Sequence, residues 1–223
     1  MQCRIFHIFA IIVIMATAGY PQSEWIYFGN SGDKKTNISL IQSDNQHVVF
    51  SVKFSAMQVG IKDMNNESYH QLTIPDCEQK TTPGLPAVPV FKQLIAVPDC
   101  DQLNIKITKA DSLIIENYDI IPAPEYIVEN DLYQENYSEC DDIYSMNAYF
   151  PDKCGRIIES GKIRNQSVIR VEIYPIRFNP VTRELKICSN LEIGLEFTNP
   201  KSELIRNVGP FYKACKGAIL NYE

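Results

Sequence analysis

Two clean alternations organise the chain. In "LNIKIT" apolar Leu103, Ile105 and Ile107 are separated by Asn104, Lys106 and Thr108. In "LEIGLEF" Leu191, Ile193, Leu195 and Phe197 are separated by Glu192, Gly194 and Glu196. A period of two puts one face of a strand in a core and the other in water. "HVVFSVKF" (His47–Phe54), "KQLIAV" (Lys92–Val97) and "SLIIENYDI" (Ser112–Ile120) add β-branched and aromatic runs of strand length. The stretch "IYPIRFNPVTRELKICSNLEIGLEF" (Ile173–Phe197) reads as strand, tight turn, strand, turn, strand. Asn179-Pro180 makes its first reversal, because proline fixes φ and asparagine caps the turn locally. Pro175 cannot donate to a ladder, which predicts an edge strand or a bulge at that point. Short strands at close spacing, with no helices between them, predict an all-β chain: an antiparallel β-sandwich of jelly-roll type.

Three segments break the pattern. "TTPGLPAVPVF" (Thr81–Phe91) holds three prolines and a glycine and predicts an extended connector outside any central strand. Glu125–Gly155 is long, acidic and rich in tyrosine, which predicts a functional or disordered loop. "GPFYKACKGAILNYE" (Gly209–Glu223) spaces Phe211, Cys215 and Ile219 by four, with Pro210 at the first helical position. It predicts a short C-terminal α-helix.

Composition adds the compartment. The apolar run Ile8–Ala18 follows Arg4 and ends in "ATA". It is too short to span a bilayer and predicts a signal peptide over residues 1–18, with a mature domain over 19–223 and no membrane attachment after cleavage. Cys3 lies ahead of the run, so the mature chain keeps Cys77, Cys100, Cys140, Cys154, Cys188 and Cys215. In an oxidising compartment an even number suggests disulfides, with Cys140–Cys154 and Cys77–Cys100 as candidate pairs and buried free thiols as the alternative. A net charge of −6 leaves no basic face for nucleic acid.

Catalytic and metal signatures are missing. No CxxC, paired-histidine, GxSxG, HExxH or phosphate-loop pattern occurs, so neither metal nor cofactor is expected. His47 and His70 both fall in strand-like runs, and Asp141-Asp142 reads as a solvated acidic face rather than an acid–base pair. N-x-S sequons occur at Asn37, Asn66, Asn136 and Asn165; chance alone makes them common, and in a bacterial chain they would carry no weight.

Three further stretches carry a family likeness. They are "PGLPAVPVFKQLIAVP", "AYFPDKCGRIIESGKIRNQSVIRVEIYPIRFNPVTRELKI" and the closing "NYE". In order and spacing they resemble the N-terminal propeptide domain of the gingipain family, C25 cysteine peptidases secreted as zymogens by Bacteroidetes-like bacteria. The matching motif positions are Pro151, Arg164, Pro175, Asn179, Pro180, Asn221 and Tyr222. The resemblance implies a β-sandwich that assists peptidase folding and keeps the enzyme latent by laying a loop across the active-site cleft. It implies a C25-type peptidase domain as partner, in cis if the gene continues past the junction and otherwise in trans. It also implies a destination outside the cell or on its surface, reached through the periplasm.

Inhibitory-loop candidates are Glu129, Tyr133, Tyr137, Lys153 and Arg156. Arginine- and lysine-specific members place a basic residue in that loop, whereas no Lys or Arg lies between Lys109 and Lys153 here. The family's catalytic His and Cys belong to a domain beyond Glu223, so the chain itself is expected to be non-catalytic. A different class of function is a binding or adhesion module, with Tyr133, Tyr137, Tyr144 and Tyr149 stacking on sugars.

Overall fold

The computed structural model describes residues 23–29, 32–64, 66–129, 132–163, 166–204 and 212–222. The expected signal peptide, Arg164, the Asn165 sequon, Pro210 and Phe211 lie outside these residues. In chain order the strands are β1 Glu24–Tyr27, β2 Asn37–Ser43, β3 His47–Lys53, β4 Ala56–Met64, β5 Glu67–Thr73, β6 Glu78–Gln79 and β7 Pro89–Val97. Then come β8 Gln102–Glu116, β9 Glu125–Glu129, β10 Leu132–Asn136, helix α1 Asp141–Tyr144, β11 Gly155–Ile163, β12 Gln166–Ile173, β13 Ile176–Asn179, β14 Glu184–Thr198 and helix α2 Tyr212–Ala218.

β14 is the spine of the first sheet. One of its edges pairs with β8 along its whole length, from Glu184↔Glu116 to Thr198↔Gln102. The other edge is shared by β13 and β3, with β2 beyond β3. The second sheet runs β11-β12-β7-β6, and a third, smaller one runs β1-β4-β5. All named strand pairs are antiparallel. One core joins the sheets: Val48, Phe50 and Val52 of β3, Ile187, Leu191 and Ile193 of β14, and Ile169, Val171 and Ile173 of β12 are buried in a single cluster. Each such side chain contributes about 1.5–3 kcal/mol by leaving water. The expected antiparallel sandwich with a short C-terminal helix is what forms.

Several boundaries differ from the sequence reading. The run Leu103–Thr108 and the first part of Ser112–Ile120 merge into β8, which ends at Glu116, because pairing with β14 carries the exposed stretch between them. The expected turn near Cys188–Asn190 is instead a bulge inside β14, where the register shifts. Pro175 sits neither on an edge strand nor at a bulge; the ladder ends at Ile173 and restarts at Ile176, so the chain turns a corner from the second sheet to the first. The proline connector ends earlier than expected, since Pro89–Phe91 belong to β7. Pro89 is the first residue of its strand, where no donated bond is required. The Asn179 turn forms as read: its Oδ1 accepts from the Val181 and Thr182 amides at 3.1 and 3.4 Å.

The closing segment completes the second sheet. β6 covers only the Pro89–Val90 end of one edge of β7. Farther along, Leu220 N–H donates to the Leu94 carbonyl (3.0 Å), and Ile219 packs in a small cluster with Ala96, Val168 and Tyr222.

Candidate functional site

The segment read as a long loop contains a hairpin. Among the described residues β9 and β10 pair only with each other, from Glu125↔Asn136 to Glu129↔Leu132. The register puts Tyr126, Val128, Tyr133 and Glu135 on one face, and Ile127 and Leu132 on the other. Both faces are open to solvent. Tyr133 is 80% exposed, Leu132 65%, and Tyr126 and Val128 60% each. A surface hairpin that buried one face would alternate apolar with polar; this one presents apolar side chains on both.

The stem is held on both legs. On the entering leg, Ile121 N–H donates to the His70 carbonyl (3.1 Å), Ala87 N–H to Ile121 (2.9 Å), Ala123 N–H to Leu85 (2.8 Å) and Gly84 N–H to Ala123 (3.0 Å). Ile121 and Ala123 are buried with Tyr69 and Ala87. On the leaving leg, Lys62 of β4 bonds Glu135 at 2.8 Å and also Tyr137, whose hydroxyl donates to Glu135 at 2.6 Å. Burial opposes the charge on Lys62, but the bonds to Glu135 and Tyr137 outweigh it and hold the ammonium above its usual range. The Lys62 bond in turn holds the Glu135 carboxyl below its ordinary value. Tyr69 donates to Glu139 (2.9 Å) and Tyr144 to the Ile120 carbonyl (2.8 Å). Cys140 N–H closes the stem on the Gly84 carbonyl at 2.9 Å. Gly84 has φ +80°, a left-handed backbone that disfavours any side chain, although a Cβ there would meet Cys140 and Ser138 only at an ordinary contact distance of 3.5 Å.

The expected loop residues separate. Glu129 ends β9 and Tyr133 lies on β10, both in the hairpin. Tyr137 is half-buried at its base. Lys153 and Arg156 lie elsewhere: Lys153 precedes β11, and Arg156 is its second residue and bonds buried Glu172 at 2.8 and 3.0 Å. Of the four tyrosines proposed as sugar platforms, Tyr137, Tyr144 and Tyr149 have their hydroxyls bonded to Glu135, Ile120 and Glu184, and Tyr133 alone stands clear.

The motif positions have structural partners. Pro151 is buried behind a cis bond to Phe150. Asn179 donates to Asn147 Oδ1 (3.0 Å), and the Pro175 carbonyl accepts from Cys188 N–H (2.7 Å). Asn221 bonds both polar groups of Ala96, and Tyr222 is buried against Tyr212.

The six cysteines are thiols, and the suggested pairs Cys140–Cys154 and Cys77–Cys100 are not formed; Cys154 and Cys188 instead meet at 3.4 Å. Both strand histidines are engaged: His47 faces Asp44 at 3.8 Å, and His70 Nδ1 accepts from the Asp119 amide at 3.1 Å. Among the described residues no group of acidic, Cys and His side chains could hold a metal, and no helix is long and apolar enough to cross a membrane.

Sequence reasoning missed Lys62 and the apolar residues Tyr126, Ile127, Val128 and Leu132. The second group was legible: "YIV", the turn-forming "END" and "LYQ" are a hairpin signal. Lys62 carries no such signal, since its partner lies more than seventy residues away.

The described residues thus form a β-sandwich that carries a hairpin with exposed apolar side chains on both faces. The chain belongs to the Propeptide_C25 family, whose profile matches residues 30–223. It is a non-catalytic pro-region of the C25 zymogen type. Gingipain R1 of Porphyromonas gingivalis is 23% identical over 144 residues, 63% of this chain. That match amounts to 14% of the length of Gingipain R1. Among solved structures, the complex of Porphyromonas gingivalis RgpB pro- and mature domains matches with a TM-score of 0.73 and 16% identity, covering 83% of this chain and 98% of that one. A structure addressing the zymogenic latency of gingipain K from Porphyromonas gingivalis matches with a TM-score of 0.65 and 17% identity, covering 79% and 99%. At these identities the likeness is one of fold.

Proposed function

We propose that this domain binds a C25-type cysteine peptidase domain, covers its active-site cleft with the β9–β10 hairpin and assists its folding. The observation that carries the reading is the hairpin: exposed apolar side chains on both faces, and a stem fixed at both legs. Both faces can then be covered by the two walls of a cleft, while the free strand edges can pair with backbone. A stem already ordered costs little entropy on docking. With no Lys or Arg between Lys109 and Lys153, the hairpin does not suit an acidic specificity pocket, so the partner peptidase is expected to prefer uncharged or apolar side chains. Residues 1–18 direct export through the periplasm, and the domain acts outside the cell or on its surface. The partner is presented in cis or in trans.

The test is inhibition of a C25-type peptidase from the same organism by the full chain. Wild-type protein is expected to inhibit at micromolar concentration and to lose inhibition once the hairpin is cut. Leu132→Ser with Tyr133→Ser removes two side chains worth about 1–2 kcal/mol each on burial, a weakening of roughly 10- to 1000-fold. Full peptidase activity at micromolar excess of the wild-type domain overturns the proposal.

A further inference from the structure

Cys154 and Cys188 face each other across the sandwich. Their sulfurs are 3.4 Å apart. Cys154 ends the segment that leads into β11, and Cys188 lies at the bulge of β14 in the other sheet. Their backbones hang on two successive residues at the corner between β12 and β13. Tyr174 N–H donates to the Cys154 carbonyl and Cys188 N–H to the Pro175 carbonyl, both at 2.7 Å. Closing the sulfurs from 3.4 Å to the ~2 Å of a disulfide is a displacement of little more than an ångström.

We propose that Cys154 and Cys188 form a reversible disulfide that staples the two sheets. This proposal is independent of peptidase binding.

The two thiols are unequal. Cys188 is 1% exposed, whereas Cys154 is half-buried and reaches solvent. The contact with Cys188 holds the Cys154 thiol below its ordinary value against the effect of burial, and Arg177 adds to it. The same contact and burial push Cys188 upward. Cys154 is thus the nucleophile, since the thiolate is the reactive form. It attacks one sulfur of a small-molecule or protein disulfide; the donor S–S bond breaks and one thiol leaves. Cys188 then gives up its proton and attacks Cys154 Sγ, expelling the second donor thiol. The pair is oxidised by two electrons, the donor is reduced to two thiols, and the two protons end on those thiols. Cys77 is the contrast: burial pushes its thiol up to about 12.

The test uses the whole chain, reduced and then exposed to oxidised glutathione near neutral pH. Wild-type protein is expected to lose two hydrogens without retaining glutathione. Peptide mapping should join the Cys154 and Cys188 peptides, and the melting midpoint should rise by about 10 °C. Cys188→Ser should stop at a glutathione adduct on Cys154, while Cys77→Ser should crosslink normally. A stable Cys154 adduct in the wild type, or a crosslink joining any other pair, overturns the proposal. If Cys188→Ser does not fold, the wild-type map decides alone.

Discussion

Asn221 uses its side-chain amide as a neighbouring strand would use its backbone. Oδ1 accepts from Ala96 N–H at 2.8 Å, and Nδ2 donates to the Ala96 carbonyl at 2.9 Å and to Ser43 Oγ at 3.1 Å. Asn221→Ala leaves two backbone groups of β7 without partners and is expected to cost about 1–3 kcal/mol. Asn221→Asp keeps the acceptor but loses the donor, and should fall between the two. Urea unfolding reads both; an alanine variant within about 0.5 kcal/mol of wild type would mean that water replaces the side chain. Glu172 is the other residue whose partners decide its role. It is buried, accepts two bonds from Arg156 and one from Tyr174, and has Lys80 at 3.8 Å. Glu172→Gln removes the charge that these donors share. Because Arg156 is half exposed and can rehydrate, the expected loss is about 1–3 kcal/mol rather than the larger cost of a stranded buried ion. The motif "NYE" and the strand residue Glu172 are both visible in the sequence, but their partners are not: Ala96 lies 125 residues from Asn221. Partnership at that distance is a property of the fold.

Elements were legible wherever one face is buried and the other wet. β3 read from its β-branched and aromatic run, the second half of β14 from its alternation, and the Asn179 turn from its own chemistry. Two of the misreadings share one cause. The middle of β8 is exposed on both faces, and the β9–β10 hairpin has no wet–dry contrast, so period-two logic returned a break and a loop. In each case pairing between backbones, which leaves no mark on side-chain pattern, holds the strand. The hairpin also makes a prediction about separability. Its apolar side chains touch little of the sandwich, so Leu132→Ser with Tyr133→Ser should leave the melting midpoint within a few degrees of wild type. Loss of inhibition together with a large drop in stability would instead make the hairpin part of the fold.

Over the whole molecule, ion pairs fasten peripheral segments to a core that does not depend on them. Lys162 and Ser167 hold Asp99, Lys201 holds Asp101, Lys106 holds Glu196, and Lys62 holds Glu135. The Ser167 and Lys162 bonds keep Asp99, and the Lys201 bond keeps Asp101, below the ordinary carboxylate value. Glu172 is also lowered: burial raises it, and the Tyr174 and Arg156 bonds outweigh burial. A carboxyl whose folded value lies below its unfolded one contributes stability above the unfolded value of ~4 and loses it as pH falls through the folded value. The melting midpoint should therefore stay level from about pH 8 to pH 5 and fall below about pH 4. The clamp on the hairpin belongs to the same window, but it is exposed and tied by one lysine. Protonation of Glu135 should free the leaving leg while the sandwich still stands. An acid-active endopeptidase should then cut within residues 125–136 at a pH where circular dichroism remains native, and Glu135→Gln should be cut there already at neutral pH. Cutting that begins only with global unfolding, in both proteins, would mean that the entering leg and the Glu139 and Cys140 contacts fix the hairpin without Lys62.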